Sequence, residues 1–226
     1  MNRTAVVAKI RSIGVIPVVR ASTAVEALQL AEAILAGGLP ILEITLTVPG
    51  AVQVIERLAR TQGDDALVGA GSVLDADSAR ACIAAGARFI ASPALDPALV
   101  ARCRKQEVAV MPGALTPTEV VQAWSAGADL VKVFPAGAMG GASYIRSLKA
   151  PLPHIELVPT GGVTLATVAG FIDAGAAAVG VGADLADVEA IRRGRSAKVT
   201  ETARAYVEVV RASRNAGQSQ RALRSL

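Results

Sequence analysis

Histidine and cysteine are nearly absent from this chain of 226 residues: His154 stands alone, and Cys82 and Cys103 are the two thiols. A Cys/His zinc centre or a multi-histidine metal site therefore lacks ligands. Two cysteines make no disulfide framework, and a chain of this length buries a sufficient core without one. A reducing, cytoplasmic compartment is the default expectation. Aromatic residues are scarce too, at 3%, and no basic stretch is studded with the rings that stack nucleic-acid bases. Long apolar runs are also missing. The N-terminus, MNRTAVVAKIRSIG, interleaves charge with short apolar steps, unlike a signal peptide. The other apolar runs are strand-length, well short of the roughly 18–20 residues that cross a bilayer, so no membrane partner is expected.

The chain carries 23 Lys and Arg against 19 Asp and Glu, a net charge of +4. A basic chain invites a nucleic-acid reading, but the excess is local. Residues 192–226 hold eight arginines and Lys198 against Glu201 and Glu208, a net of +7, which leaves −3 for residues 1–191. The body is mildly acidic, and a nucleic-acid partner is not expected. There are only five lysines: Lys9, Lys105, Lys132, Lys149 and Lys198.

Short β-branched runs alternate with longer alanine- and leucine-rich stretches. Strands are expected at 14–20, 40–46, 66–70, 88–92, 107–111, 129–134, 155–159 and 177–181. They are apolar at nearly every position, as parallel strands buried on both faces are. Between the first two, Val25, Leu28, Ala31, Ala33, Ile34 and Leu35 form a stripe at helical spacing, with Ser22 or Thr23 as cap and Gly37 and Gly38 as terminator. Thr116 before Pro117 is a second helix start. Helix-end glycine runs directly into strand in AGGLPILEIT, AAGARFIAS, SAGADLVKV and DAGAAAVGV. Eight strands alternating with helices predict an α/β fold, a TIM (β/α)₈ barrel. It forms one domain over residues 1–212. An extra helix over 3–12 closes the floor and an amphipathic helix over 197–212 ends the domain. Residues 213–226 are expected to form a basic, mobile tail.

Function in such a barrel sits at the C-terminal ends of the strands, where polar residues in apolar runs stand out. Lys132 lies in the sixth run between Val131 and Val133. If those two face the helices, Lys132 points inward. Desolvation lowers an ammonium's pKa, and a neutral amine attacks ketones and aldehydes. A snorkelling or ion-paired structural lysine fits the same pattern. Glu43, in the second run, suits a proton shuttle and equally a structural counter-ion. Arg20 ends the first run, where a guanidinium can hold a carboxylate through paired hydrogen bonds. Glycine turns follow the seventh and eighth runs, at Gly161–Gly162 and at Gly182, where this barrel class commonly binds phosphate. Ser72, Ser92 and Met111 end other strands. Cys82, Cys103, Trp124 and Tyr206 read as packing residues, and His154 sits at the wrong end of its strand for catalysis.

In order and with matching spacing, the chain contains Glu-Ile-Thr-Leu-Thr-Val-Pro (43–49), Gly-Ala-Gly-Ser-Val-Leu (69–74), Ala-Ser-Pro (91–93), Met-Pro-Gly (111–113), Val-Lys-Val-Phe-Pro-Ala (131–136) and Pro-Thr-Gly-Gly-Val (159–163). Over residues 5–190 this set resembles the 2-keto-3-deoxy-6-phosphogluconate (KDPG) aldolase family, which also acts on 4-hydroxy-2-oxoglutarate. The resemblance implies a class I aldolase with no metal or other cofactor, a small 2-keto acid substrate and a homotrimer. It matches Lys132 to the Schiff-base lysine and Glu43 to the general acid/base. It places Arg20, Thr47 and Ser72 around the substrate carboxylate and Pro93, Phe134 and Thr160 along the pocket. It puts Gly161, Gly162, Gly182 and Ala183 at the phosphate. Two features depart from the family pattern. Some members carry arginine at position 47 and threonine at 72, and related enzymes often have serine at 183. The missing hydroxyl at 183 leaves strict phosphate preference open. Two alternatives stand beside this reading: an aldolase for 2-keto-3-deoxy-6-phosphogalactonate, and a phosphosugar isomerase or epimerase on the same barrel.

Overall fold

Strong local signals start the helices where the sequence places them. A computed structural model describes residues 1–224, with side chains through residue 216. Helix α1 (Arg3–Ile13) precedes strand β1 (Val15–Val19). Then follow α2 (Ala24–Ala36), β2 (Ile41–Thr45), α3 (Ala51–Gln62), β3 (Leu67–Gly71), α4 (Ala76–Ala84), β4 (Phe89–Ala91) and α5 (Pro97–Lys105). Strands β5 (Ala109–Met111) and β6 (Gly113–Ala114) lead to α6 (Pro117–Ser125), β7 (Val131–Val133) and α7 (Ala142–Lys149). The chain ends with β8 (Leu157–Pro159), α8 (Val168–Asp173), β9 (Val179–Val181), α9 (Val188–Arg192) and α10 (Ser196–Arg224). Thr23 caps α2 by accepting from the Glu26 amide. Thr116 and Glu119 form a reciprocal capping box on α6, with Pro117 in its first turn.

Every strand pair is parallel, in the orders β5-β4-β3-β2-β1-β9 and β6-β7-β8. A bridge between Thr160 and Gly180 joins β8 to β9. The other seam lies at the fifth expected strand, which continues past Met111 as β6. Pro112 has no amide hydrogen to give the ladder. Its carbonyl still accepts from the Lys132 amide at 3.0 Å, so β6 pairs with β7 as β5 pairs with β4. The sheet closes on itself as the expected (β/α)₈ barrel, and all eight expected runs are strands.

Alternation along the strands sorts the side chains into two shells. Val15, Val19, Leu42, Ile44, Val131 and Val133 pack outward against the helices. Ile16, Ile41, Leu67, Phe89, Ala109 and Leu130 point inward, and Val6 and Ile10 of α1 seal them from below. α1 is thus the floor expected over 3–12. Burial pushes the Cys82 thiol up to about 11 and the Cys103 thiol up to about 12, so both are uncharged packing groups at neutral pH.

Three details differ from the sequence reading. The buried stripe of α2 is Ala27, Leu30, Ala31, Ala33 and Ile34, while Val25 is 64% exposed. It lies on the opposite side of the helix from Ala27 and Ile34, away from the core. The last helix does not stop at 212 but runs to Arg224, so the expected mobile tail is helical through that residue; residues 225 and 226 lie outside the described residues. One reason is Arg214, whose guanidinium donates to the carbonyls of Ser12 and Ala177 on the barrel floor. Finally, the basic C-terminal segment is partly consumed by ion pairs: Arg192 with Glu26 at 2.7 Å, Arg193 with Glu189 at 2.7 Å and Lys198 with Asp187 at 2.8 Å.

Thr116→Ala removes the side-chain acceptor of the α6 capping box and is expected to cost about 1 kcal/mol. In a chain of this size that lowers the melting temperature by about 2–4 °C, as read by thermal unfolding followed by circular dichroism.

Candidate active site

The inward positions change character one layer above the floor. Gly69, Gly71, Gly113 and Gly180 replace side chains there, and a Cβ at any of the four would lie 2.1–2.4 Å from a neighbouring atom. Gly71 leaves room for Glu43 of β2, which meets Lys132 of β7, while Gly69, Gly113 and Gly180 make room for Phe89, the Pro93 backbone and Thr160. The register aligns Lys132 with Gly113 and Val158, and Glu43 with Val18 and Gly69. Lys132 Nζ donates to Glu43 Oε1 at 3.1 Å, and their side chains are only 7% and 2% exposed. Gly71 is required by this pair, because a Cβ there would stand 2.1 Å from Glu43 Oε1. The Lys132 nitrogen also lies 6.0 Å from the centre of the Phe134 ring, which is 38% exposed at the mouth.

Above the pair, Thr45 Oγ1 donates to the Val19 carbonyl at 3.1 Å and lies 2.8 Å from Thr47 Oγ1. These contacts tie the ends of β1 and β2 together. Arg20 and Thr47, both exposed, line one cleft of about 430 Å³ with Ser22, Pro49, Val188 and Arg192. Arg192 donates to Ser22 Oγ at 2.8 Å as well as to Glu26. Ser72 follows β3 with φ of +56°, a left-handed conformation uncommon outside glycine, and is half-buried at the mouth. Pro93 is half-buried, with its carbonyl against Gly113. Thr160 is buried at the end of β8, where Gly180 leaves room for its hydroxyl. Gly161 and Gly162 turn the chain with φ of +85° and +78°. Gly182 and the exposed Ala183 open the loop after β9.

The structure therefore brings Lys132 and Glu43 into direct contact. It places Arg20 and Thr47 in one cleft and Phe134 beside the amine. The glycine loops form a separate group on the β8–β9 side. Thr45, Gly71 and Arg192 were not singled out from the sequence. Thr45 had a signal, since it lies two residues beyond Glu43 on the same strand face. Arg192 had none, because its partner Glu26 is 166 residues away. His154 lies before β8, edge-on to Trp124 at 6.3 Å, away from the mouth. A larger groove of about 590 Å³ at the opposite face runs past Asn2, Asp64 and Arg88 and holds none of these residues. Among the described residues no group of three or more His, Cys, Asp or Glu is placed to hold a metal, and no helix is long and apolar enough to cross a membrane.

Residues 6–202 match the family model described as KDPG and KHG aldolase. The 2-dehydro-3-deoxy-6-phosphogalactonate aldolase of Escherichia coli K12 is 37% identical over 204 residues, covering 90% of this chain and 96% of the relative. The 2-dehydro-3-deoxy-phosphogluconate aldolase of Treponema pallidum is 33% identical over 196 residues, 87% of this chain and 93% of the relative. Among solved structures, the KDPG aldolase of Legionella pneumophila, with pyruvate captured as a covalent carbinolamine intermediate, superposes with a TM-score of 0.82. Its identity is 33%, over 89% of this chain and 97% of that one.

Breaking the buried pair has a thermodynamic signature of its own. Glu43→Ala leaves a buried ammonium without a partner and is expected to lower stability in urea by about 3 kcal/mol. Glu43→Leu combined with Lys132→Met removes both charges and is expected to recover most of that loss.

Proposed function

Because the chain belongs to the KDPG and KHG aldolase family, we propose that it cleaves 2-keto-3-deoxy-6-phosphogluconate to pyruvate and glyceraldehyde 3-phosphate through an imine on Lys132. Aldolases are carbon–carbon lyases, and the isomerase or epimerase alternative gives way to that class. The observation that carries the imine reading is the buried pair itself: an amine and a proton carrier 3.1 Å apart, in a pocket nearly closed to water. Proton transfer along that hydrogen bond yields a neutral amine and a carboxylic acid. Lys132 Nζ then attacks the C2 carbonyl, and the carbinolamine loses water as Glu43 delivers a proton to the departing hydroxyl. The carboxylate so formed takes the C4 hydroxyl proton. The C3–C4 bond breaks, its electrons pass to the protonated imine as an enamine, and the aldehyde leaves. Protonation at C3 and hydrolysis of the imine release pyruvate and restore the lysine. Each step uses a covalent amine and one proton shuttle, so the reading needs no cofactor. The carbinolamine in the Legionella pneumophila relative supports it.

Arg20, Thr47 and Ser72 are assigned to the carboxylate. Arg20 supplies the charge, since position 47 carries only a hydroxyl. Pro93, Phe134 and Thr160 line the chain of the substrate. Gly161, Gly162, Gly182 and Ala183 offer backbone N–H groups to the phosphate. 4-Hydroxy-2-oxoglutarate, which splits to pyruvate and glyoxylate, is a second substrate in this reading. The 37% identity to the phosphogalactonate enzyme favours the C4 epimer as the alternative phosphorylated substrate. A homotrimeric assembly and a cytoplasmic location are carried from the family resemblance.

Pyruvate with borohydride is expected to add one reduced pyruvyl group irreversibly, and peptide mass spectrometry is expected to place it on Lys132. Absence of label on Lys132, where a control Schiff-base aldolase labels fully, overturns the imine. Glu43→Gln is expected to lower kcat for KDPG cleavage by about 10²–10⁴-fold, in a pyruvate-coupled assay.

A further inference from the structure

The two glycine loops at the mouth are braced unequally. The loop after β8 is fastened on its β7 side by backbone bonds, from Ala136 to the Thr160 carbonyl at 2.9 Å and from Gly137 to the Gly161 carbonyl at 2.8 Å. On its β9 side, beyond the Thr160–Gly180 bridge, one side-chain hydrogen bond crosses to the loop after β9 among the described residues: the Leu165 amide donates to Asp184 Oδ2 at 3.0 Å. The same oxygen accepts the Tyr206 hydroxyl at 2.5 Å. Asp184 is exposed, so water competes for it, whereas Tyr206 is wholly buried in α10. The phenol is the fixed point and the carboxylate is the tie.

Spacing matters here because the side chains at the cradle supply no donors. Gly161, Gly162, Gly182 and Ala183 have none, and the N–H groups of Gly162, Gly182 and Ala183 donate to no protein group among the described residues. An anion held by N–H groups from two loops depends on the distance between those loops. A carboxylate one residue beyond Ala183 would also repel that anion if it swung towards it. The Tyr206 and Leu165 donors hold Asp184 towards α10 and the far end of the loop after β8 instead.

We infer that Tyr206 and Asp184 act as a positioning couple that sets the spacing of the loops after β8 and β9, and with it the enzyme's affinity for the phosphate end of its substrate. This rests on the aldolase reading and on assigning the two loops to phosphate. The test compares wild type, Tyr206→Phe, Asp184→Ala and Asp184→Asn with KDPG, with unphosphorylated 4-hydroxy-2-oxoglutarate, and with inorganic phosphate as a competitive inhibitor. Tyr206→Phe keeps the buried ring. It is expected to raise KM for KDPG and Ki for phosphate about tenfold, the worth of one hydrogen bond to a charged group, with both parameters for 4-hydroxy-2-oxoglutarate unchanged. Asp184→Ala is expected to behave alike. Asp184→Asn, whose amide oxygen still accepts both bonds, is expected to keep the wild-type Ki. An unchanged phosphate Ki in Tyr206→Phe, or an equal loss on both substrates, overturns the couple. Wild type that turns over 4-hydroxy-2-oxoglutarate but neither binds phosphate nor prefers KDPG shows instead that the phosphate assignment fails, and the couple's role falls with it.

Discussion

Taking Lys132 and Glu43 out of water is costly, and the cost is offset only if each charge meets the other at close range with little else to displace them. That constraint shapes the rest of the barrel. Their 3.1 Å contact needs Glu43 of β2 and Lys132 of β7, 89 residues apart in sequence, to face each other across a closed sheet. It also needs the position beside Glu43 to be vacant, which is why Gly71 stands there: a Cβ would lie 2.1 Å from Glu43 Oε1. The floor beneath must be dry and full, and Phe89 with Val6 and Ile10 of α1 makes it so. A barrel filled to the top would have no room for the pair, and one open to the bottom would hydrate it.

Above the pair the structure is held by a different kind of interaction. The strands end, and polar side chains take over from the ladder. Thr45 clasps Val19 and Thr47. Arg192 clasps Ser22 and Glu26, joining the last part of the barrel to the first. Tyr206 reaches Asp184 from the last helix. These ties are few, and those of Arg192 and Tyr206 join segments that no backbone hydrogen bond joins among the described residues. The rim is therefore where a small change in side-chain chemistry can move a loop without disturbing the core.

Much of this was legible beforehand. Near-continuous apolar runs marked every strand, because both faces of a parallel sheet are buried and leave no polar positions to break the run. Thr23 and Thr116 announced their helices through caps, which act within four residues. Lys132 and Glu43 stood out because a charge in a buried strand has no local explanation. The errors fall where local rules stop. Val25 fitted a helical stripe but the neighbouring elements leave it exposed. Residues 213–224 lacked an amphipathic pattern and were read as a tail, yet Arg214 finds carbonyls at Ser12 and Ala177. Arg192 was counted with the C-terminal charge, although it belongs to the mouth.

The linear order of residues thus determined the strands, the caps, the barrel class and the two charges, Lys132 and Glu43, that lie inside it. These depend on periodicity, on short-range hydrogen bonding and on the rarity of a buried charge. Tertiary structure alone decided how Lys132 is held, because the contact with Glu43 exists only once the sheet has closed. It also decided which glycines serve turns and which serve space, since Gly71 is needed for the volume of Glu43 rather than for its own backbone. The bracing of the mouth by Arg192, Asp184 and Tyr206 belongs to the same class. Each partner lies more than 20 residues from the other, beyond the range over which a local pattern carries information.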